Sequence, residues 1–312
     1  MVDDGIERVR RFNRLVTQRV GALDDHYLSR QRPLGASRVL WEIGADGCDV
    51  RSIRSRLDMD SGYLSRLLRL LESEHLVTIE RHPGDQRVRL VRLTAAGCLE
   101  RAEIDRRSDE LAHSLLVSLD DASQQKLLDA MHTVERMLTA GLVDVRVEDP
   151  RSAAAKFCID SYFDEIDERF DEGFDPAVST LPDAGELVEP YGLLLVARLH
   201  DQPVACGGLV FHGDEGTDVK RMWVSATVRG LGLGRRMLSE LELHASQHGV
   251  TTLRLETNRK LVEAIQLYRS SGYVEVAAFN EERYADHWFE KPLTGQVVRR
   301  SSRPIDARSC SS

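Results

Sequence analysis

The sequence predicts a multidomain protein in which a mainly α-helical domain is followed by an α+β domain with a mixed, mostly antiparallel sheet. Its 312 residues exceed the usual length of a single domain. Apolar side chains recur at helical spacing up to about residue 140, whereas short alternating segments, arranged as hairpins, dominate the rest. We therefore predict one domain over 1–140, a second over 141–293 and a polar, disordered tail over 294–312.

Composition narrows the class of protein. No apolar run is long enough to cross a bilayer, and the first segment, "MVDDGIERVRRF", is too charged for a signal peptide. The five cysteines are scattered and form no C-x-x-C pair, which argues against a disulfide framework or structural zinc. His244 and His248 share a helix face but have no third ligand at a suitable spacing. These features predict a cytoplasmic protein with no membrane partner and no metal site.

Four helical segments open the first domain. The first is "IERVRRFNRLVTQRVGAL", and the second begins after Pro33 in "PLGASRVLWEIG" and stops near Gly44. Asp49 is placed to cap a short third helix in "DVRSIRSRLDM". The fourth starts at Asp60 or Ser61, and one of its faces collects Leu64, Leu67, Leu68 and Leu71. A short helix, a tight turn and a helix with a small polar N-terminus form a helix-turn-helix.

A β-hairpin follows this helix-turn-helix. The segments "LVTIERHPGD" and "QRVRLVRLT" alternate around the turn signal Pro83-Gly84-Asp85, and two further helices start near Ala95 and Ser123. The order of elements resembles the MarR family of dimeric winged-helix regulators, and "DQR" at residues 85–87 matches that family's D-x-R at the wing tip. The resemblance covers roughly residues 1–140, so we expect a winged helix-turn-helix domain there.

The resemblance implies binding of double-stranded DNA through residues 51–92 and a homodimer formed by the first and last helices of this domain. The second helix of the helix-turn-helix would enter the major groove, and the wing would contact a minor groove or phosphates. The implied contact residues are Ser61, Tyr63, Ser65, Arg66, Arg69, Arg81, Arg87 and Arg89. Residues 51–92 hold nine arginines against six acidic residues, although the whole chain carries a net charge of −9. A charge run is usually a solvated face, but the hairpin at the expected distance favours DNA.

In the second domain, strands and helices surround one glycine-rich loop. After "VDVRVEDP" come an amphipathic helix, an acidic loop over 175–190, and a hairpin formed by "GLLLVARL" and "VACGGLVF". A strand over 218–224 leads directly into "VRGLGLGRRML", where a helix begins at Gly234, and two strand-rich segments separated by a helix over 261–271 follow. A glycine turn that opens a helix indicates phosphate binding, because bare backbone amides and the helix N-terminus both favour an anion.

Two nucleotide-binding interpretations fail on the spacing of these glycines. The strand, turn and helix, with Glu256 about twenty residues beyond the loop, imitate a dinucleotide-binding unit. In G-x-G-x-x-G, however, the last glycine would fall on Arg235 or Met237. A Walker loop would need Lys and Ser/Thr where Arg235 and Arg236 stand. Both interpretations are therefore disfavoured.

The loop does fit R-x-x-G-x-G through Arg229, Gly232 and Gly234, which resembles the acetyl-CoA pyrophosphate loop of the GNAT acyltransferases. Downstream, "AIQLYRSSGY" over 264–273 matches the second half of the GNAT signature. The resemblance covers roughly residues 141–293, and the order of the halves is similar to that of bacterial MarR–GNAT fusion proteins. It implies acetyl-CoA (coenzyme A) as cofactor, with contacts from Met222, Val224, Arg229, Gly230, Leu231, Gly232, Leu233, Gly234, Arg235 and Asn258.

The same resemblance implies catalytic roles. Tyr268 occupies the position of the family's usual general acid, which would protonate the leaving thiolate. Asp218, where many members carry a Glu, is the first candidate for the base that deprotonates the amine, and Glu256 competes with it. Many members have an Asn where this chain has Leu261, so Asn258 is expected to replace that cofactor contact.

Three functions remain open on the sequence. The first is a bifunctional regulator that binds DNA and acetylates a small amine or a lysine by direct transfer. The second is a transcription regulator whose GNAT domain only senses acyl-CoA without turnover. The third is an enzyme whose winged helix serves solely for dimerisation. We expect the loops around 175–190 and 279–288 to select the acceptor.

Overall fold

A computed structural model describes residues 2–22, 28, 32–44, 46–82, 85–179, 182–213 and 216–293. The chain divides into two compact units, Met1–Glu135 and Arg136–Ser312. The boundary between them falls inside a helix that continues to Gly141, the residue near which the sequence changes character. The predicted tail over 294–312 and the predicted turn residues Pro83 and Gly84 lie outside the described residues.

The first unit packs helices around a small sheet. Its helices are α1 (Val2–Arg19), α2 (Leu34–Glu42), α3 (Val50–Leu57), α4 (Ser61–Ser73), α5 (Ala95–Leu116) and the larger part of α6 (Asp121–Gly141). Its strands β1 (Cys48–Asp49), β2 (Val77–His82) and β3 (Asp85–Leu93) form an antiparallel sheet in the order β1-β3-β2. The predicted winged helix-turn-helix is confirmed. Strand β1 was not predicted, because two residues are too short to show an alternating pattern.

Side-chain caps define both helices of the helix-turn-helix. Asp49 accepts a hydrogen bond from the Arg51 amide at 2.9 Å, as predicted. Asp60 accepts from the amides of Gly62 and Tyr63 at 2.9 and 3.0 Å, so Asp60 rather than Ser61 is the N-cap of α4. The predicted apolar face of α4 is buried, and its core partners include Val39, Leu40, Val77 and Val91. The opposite face of α4 is thereby left to solvent.

The second unit is built on a seven-stranded sheet. Its strands are β4 (Asp144–Val147), β5 (Gly192–Leu199), β6 (Gln202–Phe211), β7 (Thr217–Val224), β8 (Thr252–Thr257), β9 (Val274–Val276) and β10 (His287–Pro292). They are ordered β4-β5-β6-β7-β8-β10-β9, and all neighbouring pairs are antiparallel except β7 with β8, which are parallel. The predicted mixed, mostly antiparallel sheet is confirmed.

Helices cover both faces of this sheet. They are α7 (Ala153–Arg169), α8 (Leu233–Gln247) and α9 (Val262–Ser270). Successive side chains of β5 belong to different cores: Leu193 and Leu195 pack with α8, whereas Leu194 and Val196 pack with α7. Because successive strand residues point to opposite faces, α7 and α8 lie on opposite sides of the sheet. Burial on both faces explains the continuous apolar run "GLLLVARL".

Candidate active site

The glycine loop between β7 and α8 uses its glycines in two ways. Gly230 and Gly232 have φ angles of +81° and +77°, a region that L side chains rarely adopt, and Gly232 is the N-cap of α8. At Gly234 the reason is space, because an added Cβ would lie 3.2 Å from Leu267 Cδ2 of α9. The first amides of a helix have no acceptor inside the helix, so this loop presents donors at a positive helix end.

Strands β7 and β8 separate just before this loop. Their parallel pairing consists of Thr217 with Leu253 and Asp218 with Arg254. β7 continues to Val224, whereas the other edge of β8 pairs along its full length with β10. The backbone of β7 beyond Asp218 is therefore open on the side that faces β8, and a cleft begins there.

The larger of two cavities at this cleft has a volume of about 490 Å³. It is bounded by the glycine loop, the end of β7, α7 and α9. Eight of the residues predicted to bind the cofactor line it: Met222, Val224, Arg229, Gly230, Gly232, Leu233, Gly234 and Arg235. Leu231 packs instead against the core, and Asn258 lines the other cavity. The loop and the strand end thus form one continuous wall.

The second cavity, of about 80 Å³, adjoins the first. Both are lined by Tyr162 and Ile166 of α7, Met222 of β7, and Tyr268 of α9. The smaller cavity adds charged side chains from the two separating strands and an aromatic wall from two loops: Lys220, Arg221, Glu256, Phe170, Phe174 and Tyr284. Two differently lined cavities therefore meet at Tyr268.

Tyr268 is 5% exposed, and its ring packs 6.0 Å from the ring centroids of Tyr273 and Phe289. Burial raises the pKa of its phenol well above the ordinary value of about 10, and the negative charge of Glu256 raises it further. Burial also raises the pKa of the Tyr162 phenol, and the nearby Tyr268 and Glu256 raise it further. Both phenols are protonated at neutral pH.

The two candidate bases lie in different environments. Asp218 is buried and lines neither cavity in the described part of the chain. Its carboxylate lies 3.2 Å from Arg254, 3.3 Å from His212 and 3.5 Å from Lys220. Glu256 lines the smaller cavity and forms an ion pair with Lys220. Of the two carboxylates, only that of Glu256 faces the cavity next to Tyr268.

Three of the predicted cofactor residues have side-chain partners within the protein. Arg229 forms an ion pair with Glu165 of α7 at 2.5 Å, and Glu165 also accepts from Trp223 Nε1 at 3.1 Å. Arg235 donates to Ser270 Oγ at 2.9 Å. Asn258 donates to the Tyr284 carbonyl at 2.7 Å and accepts from the Lys260 amide at 2.9 Å, so its side-chain contacts hold the loop after β8.

Among the residues of this site that the sequence analysis missed are Tyr162, Glu165 and Arg221. The first two lie on α7, about 60 residues before the glycine loop, and only the packing of α7 on the sheet brings them to it. Arg221 has a φ of +56°, and no pattern of residues in the sequence predicts this backbone conformation. The acidic, aromatic segment "YFDEIDERF" was the available signal for the residues of α7.

The predicted DNA-contact residues lie on the exposed side of the first unit. Ser61, Tyr63, Arg66 and Arg69 of α4 are exposed, and Ser65 is half-buried. The Arg66 guanidinium lies 5.7 Å from the Tyr63 ring, and Arg69 Nε donates to the Ser65 carbonyl at 3.2 Å. In the wing, Arg81 and Arg89 are exposed, whereas the side chain of Arg87 lies outside the described part.

The first and last helices of this unit carry exposed apolar side chains. On α1, residues Ile6, Val9 and Phe12 recur every three positions and are 53%, 58% and 47% exposed. On α6, Met131 and Val134 are 50% and 37% exposed, with the same spacing. Exposed apolar side chains that recur on one helix face are typical of surfaces covered by another molecule.

Two searches of the described residues were negative. No group of three or more His, Cys, Asp or Glu side chains is arranged to hold a metal ion. Every helix in the described ranges is too short or too polar to cross a membrane.

Comparisons with known proteins identify the second unit. Residues 190–275, which include the glycine loop and α9, match the family model of the acetyltransferase (GNAT) domain. An IAA acetyltransferase of Azospirillum brasilense is 33% identical over 117 residues, which are 37% of this chain and 76% of that protein. The matched segment thus covers more than two thirds of the relative.

Solved structures resemble each half separately. A GNAT-family acetyltransferase from Staphylococcus aureus Mu50 is 17% identical, covers 49% of this chain and 99% of its own, and gives a TM-score of 0.42. A MarR mutant from E. coli, crystallised with operator DNA, is 23% identical, covers 43% and 97%, and gives a TM-score of 0.37. On the family model and the Azospirillum relative, the chain belongs to the GNAT acetyltransferase family, and its second unit is an N-acyltransferase domain.

Proposed function

We propose that the protein is a homodimeric, DNA-binding regulator whose second unit transfers an acetyl group from acetyl-CoA directly to a primary amine. The observation that most supports direct transfer is the meeting of two cavities at Tyr268, where β7 and β8 separate. A donor in the larger cavity and an amine in the smaller one would approach each other there, so no covalent enzyme intermediate is needed.

The larger cavity has the features that acetyl-CoA requires. The loop from Arg229 to Arg235 combines free helix-terminal amides with two arginines, which suits a pyrophosphate. The open edge of β7 from Met222 to Val224 offers backbone groups to the extended arm of the coenzyme. When bound, acetyl-CoA supplies a thioester whose acetyl group passes to nitrogen as the C–S bond breaks and a C–N bond forms.

We assign the base to Glu256 and the acid to Tyr268. An aliphatic amine is protonated at neutral pH and must lose a proton before its nitrogen can attack. Glu256 faces the smaller cavity and can take this proton directly or through a water, whereas Asp218 holds Lys220 and Arg254 in place. Tyr268 is protonated at neutral pH, since the ordinary pKa of a phenol and its raised pKa here both lie well above 7, so it carries a proton that the leaving thiolate can take.

The first unit supports the regulatory half of the proposal. The exposed face of α4 carries Tyr63, Arg66 and Arg69, and the exposed wing residues Arg81 and Arg89 follow at the distance expected of a winged helix. The exposed apolar residues of α1 and α6 suit a self-complementary dimer interface. We therefore propose double-stranded DNA and a second copy of the chain as partners.

Transfer is tested with the full-length protein, acetyl-CoA and a broad panel of small primary amines, and the release of free thiol is measured together with the acetylated product. We expect release that depends on the amine and falls about 10²-fold or more in Tyr268→Phe. If the protein binds acetyl-CoA tightly but acetylates no amine or lysine peptide, turnover is excluded and the acyl-CoA sensor takes its place.

A further inference from the structure

Arg221 has an unusual backbone position in β7. On the neighbouring strand β6, Cys206 pairs with Trp223 and Gly208 pairs with Lys220. Two residues of β7, Arg221 and Met222, therefore lie opposite the single residue Gly207, which defines a β-bulge. The φ angle of +56° at Arg221 lies in a region that few residues with a Cβ adopt. Strain of this kind is concentrated at ligand and active sites, because the bulge aims a side chain that a regular strand would send elsewhere.

The bulge brings the Arg221 side chain to the wall of the smaller cavity. There its guanidinium donates to the Pro182 carbonyl and lies 5.6 Å from the ring centroid of Phe163. Its Nε is buried and has no hydrogen-bond partner among the described residues, and no carboxylate in the described ranges lies within 4.0 Å of the guanidinium. The other cation of this wall, Lys220, is in contrast paired with Glu256 and Asp218.

A half-buried guanidinium that has no carboxylate within 4.0 Å in the described ranges favours an anionic ligand. Burial lowers the pKa of Arg221, while the negative charges of Asp183 and Glu186 act in the opposite direction. A guanidinium presents five N–H donors in a planar fork that matches the two oxygens of a carboxylate. A carboxylate in the cavity would give this guanidinium a charged acceptor in addition to the Pro182 carbonyl.

Another part of the wall of the smaller cavity is aromatic and carries no charge. The rings of Phe170, Phe174 and Tyr284 lie with centroids 4.9 to 6.1 Å apart, and all three line the cavity. The Tyr284 hydroxyl is occupied, because it accepts from the Asp175 amide at 3.0 Å. This wall therefore offers apolar ring surface to a bound molecule rather than hydrogen bonds.

We propose that the acceptor is an amino acid with an apolar or aromatic side chain, whose carboxylate is bound by Arg221 while its amino group faces Glu256. This inference rests on the proposed acetyl transfer at the same site. The ammonium of the amino acid gives one proton to Glu256, and its nitrogen then forms the new C–N bond with the acetyl carbon. The C–S electron pair goes to sulfur, which takes a proton from Tyr268, and the second proton, which nitrogen loses as the amide forms, restores the Tyr268 phenol. A lysine side chain within a protein lacks this carboxylate.

The test compares amino acids with the amines that lack their carboxylate. Leucine, methionine, phenylalanine and tyrosine are paired with 3-methylbutylamine, 3-methylthiopropylamine, 2-phenylethylamine and tyramine. Turnover with acetyl-CoA is measured, and binding is measured by calorimetry in the presence of coenzyme A. For at least one pair we expect the amino acid to have a kcat/KM about 10-fold or more above that of its amine. Arg221→Gln should lower this ratio about 10-fold through KM, and Arg221→Lys should recover part of it.

Arg259→Gln is the matched control, since Arg259 is 70% exposed and lines neither cavity, and it should leave the ratio unchanged. Thermal melting of each variant shows whether it folds. The inference would be overturned, while transfer stays intact, by either of two results. The amines could bind and react as well as the amino acids, or Arg221→Gln could leave the kcat/KM ratio of amino acid to amine unchanged. Binding that depends on the carboxylate and on Arg221, without turnover, would uphold the inference and refute transfer. Failure of every amino acid to bind would refute the inference.

Discussion

Lys220 of β7 and Glu256 of β8 form an ion pair at the point where the two strands separate. Their side chains are only 9% and 10% exposed, and a second carboxylate, that of Asp218, lies 3.5 Å from the same ammonium. One buried ammonium thus serves two carboxylates, of which only Glu256 faces the smaller cavity. Lys220 consequently keeps a charged partner when either carboxylate is neutralised.

This arrangement separates the catalytic from the structural effect of Glu256→Gln. We expect kcat to fall about 10² to 10⁴-fold, because the base is lost. Removing one partner of a buried ion pair usually lowers the free energy of unfolding by about 3–5 kcal/mol. The loss here should be smaller, because Asp218 still neutralises Lys220. Steady-state kinetics and denaturant unfolding measure the two effects.

Glu242→Gln is the control for that substitution. Glu242 forms a half-buried ion pair with Lys291 at 2.8 Å and lines neither cavity, so its loss should affect stability without changing kcat. If Glu256→Gln keeps its activity while Asp218→Asn loses it, Asp218 is the base after all.

A second prediction uses two glycines at opposite ends of α8. Gly232 and Gly249 have φ angles of +77° and +78°, and an added Cβ would touch nothing within 4 Å at either position. Substitution by alanine should therefore cost each protein about 1 kcal/mol from backbone strain alone. Only Gly232 lines the larger cavity, so only Gly232→Ala should also weaken the binding of coenzyme A.

Calorimetry with coenzyme A and thermal unfolding of both variants provide the measurement. Equal losses of stability with a loss of affinity at Gly232 alone would support the loop as the pyrophosphate site. If both variants bind coenzyme A as the native protein does, the pyrophosphate lies elsewhere.

The sequence was most informative where function depends on local spacing. The intervals between Arg229, Gly232 and Gly234 distinguish the loop from other phosphate loops without any knowledge of the rest of the chain. Helix caps are equally local, and both aspartates of the helix-turn-helix were identified as possible caps before the structure located them. Such predictions need only neighbouring residues.

At the candidate active site, the same local reasoning could not predict which residues meet, because they come from distant parts of the sequence. Asp218 and Glu256 both lie in strands beside the loop, and only the separation of β7 from β8 shows which carboxylate faces a cavity. Tyr162 and Glu165 reach the site through packing of α7 on the sheet. Arg221 depends on a bulge, which no alternating pattern reveals because it breaks the alternation.

The raised pKa of Tyr268 gives a prediction for alkaline pH. Below pH 10 the phenol is protonated in both folded and unfolded chains, so it adds no pH dependence. Above pH 10 the unfolded chain releases this proton while the folded protein retains it, so the contribution of Tyr268 to the free energy of unfolding becomes less favourable as pH rises. The proposed acid of the transfer reaction therefore stays protonated up to at least about pH 10.

Ultraviolet titration of tyrosinate tests this directly. In the folded protein, Tyr268→Phe should leave the amplitude of the absorbance rise around pH 10 unchanged. In denaturant the same variant should lose about one seventh of the amplitude, because all seven tyrosines then titrate normally. A loss of the same size in the folded protein would show that Tyr268 has an ordinary pKa.

The last prediction concerns the exposed face of α4. Arg66 lies nearly two helical turns after the Asp60 cap and beside the Tyr63 ring, and no carboxylate in the described ranges forms an ion pair with it. Arg66→Ala should weaken binding to the DNA upstream of the protein's own gene about 10-fold, and the salt dependence should lose about one unit of slope if the contact is to a phosphate.

Arg106→Ala is the matched control, because Arg106 is 53% exposed on α5 and already pairs with Glu103 and Glu110. Fluorescence anisotropy at several salt concentrations measures both variants. If the winged helix serves only for dimerisation, the native protein and both variants should bind the DNA equally weakly. If the arginines of α4 form only a solvated face, Arg66→Ala and Arg106→Ala should change DNA binding alike. A loss confined to Arg66→Ala excludes both, because binding then depends on the arginine of α4 and not on the removal of any exposed positive charge.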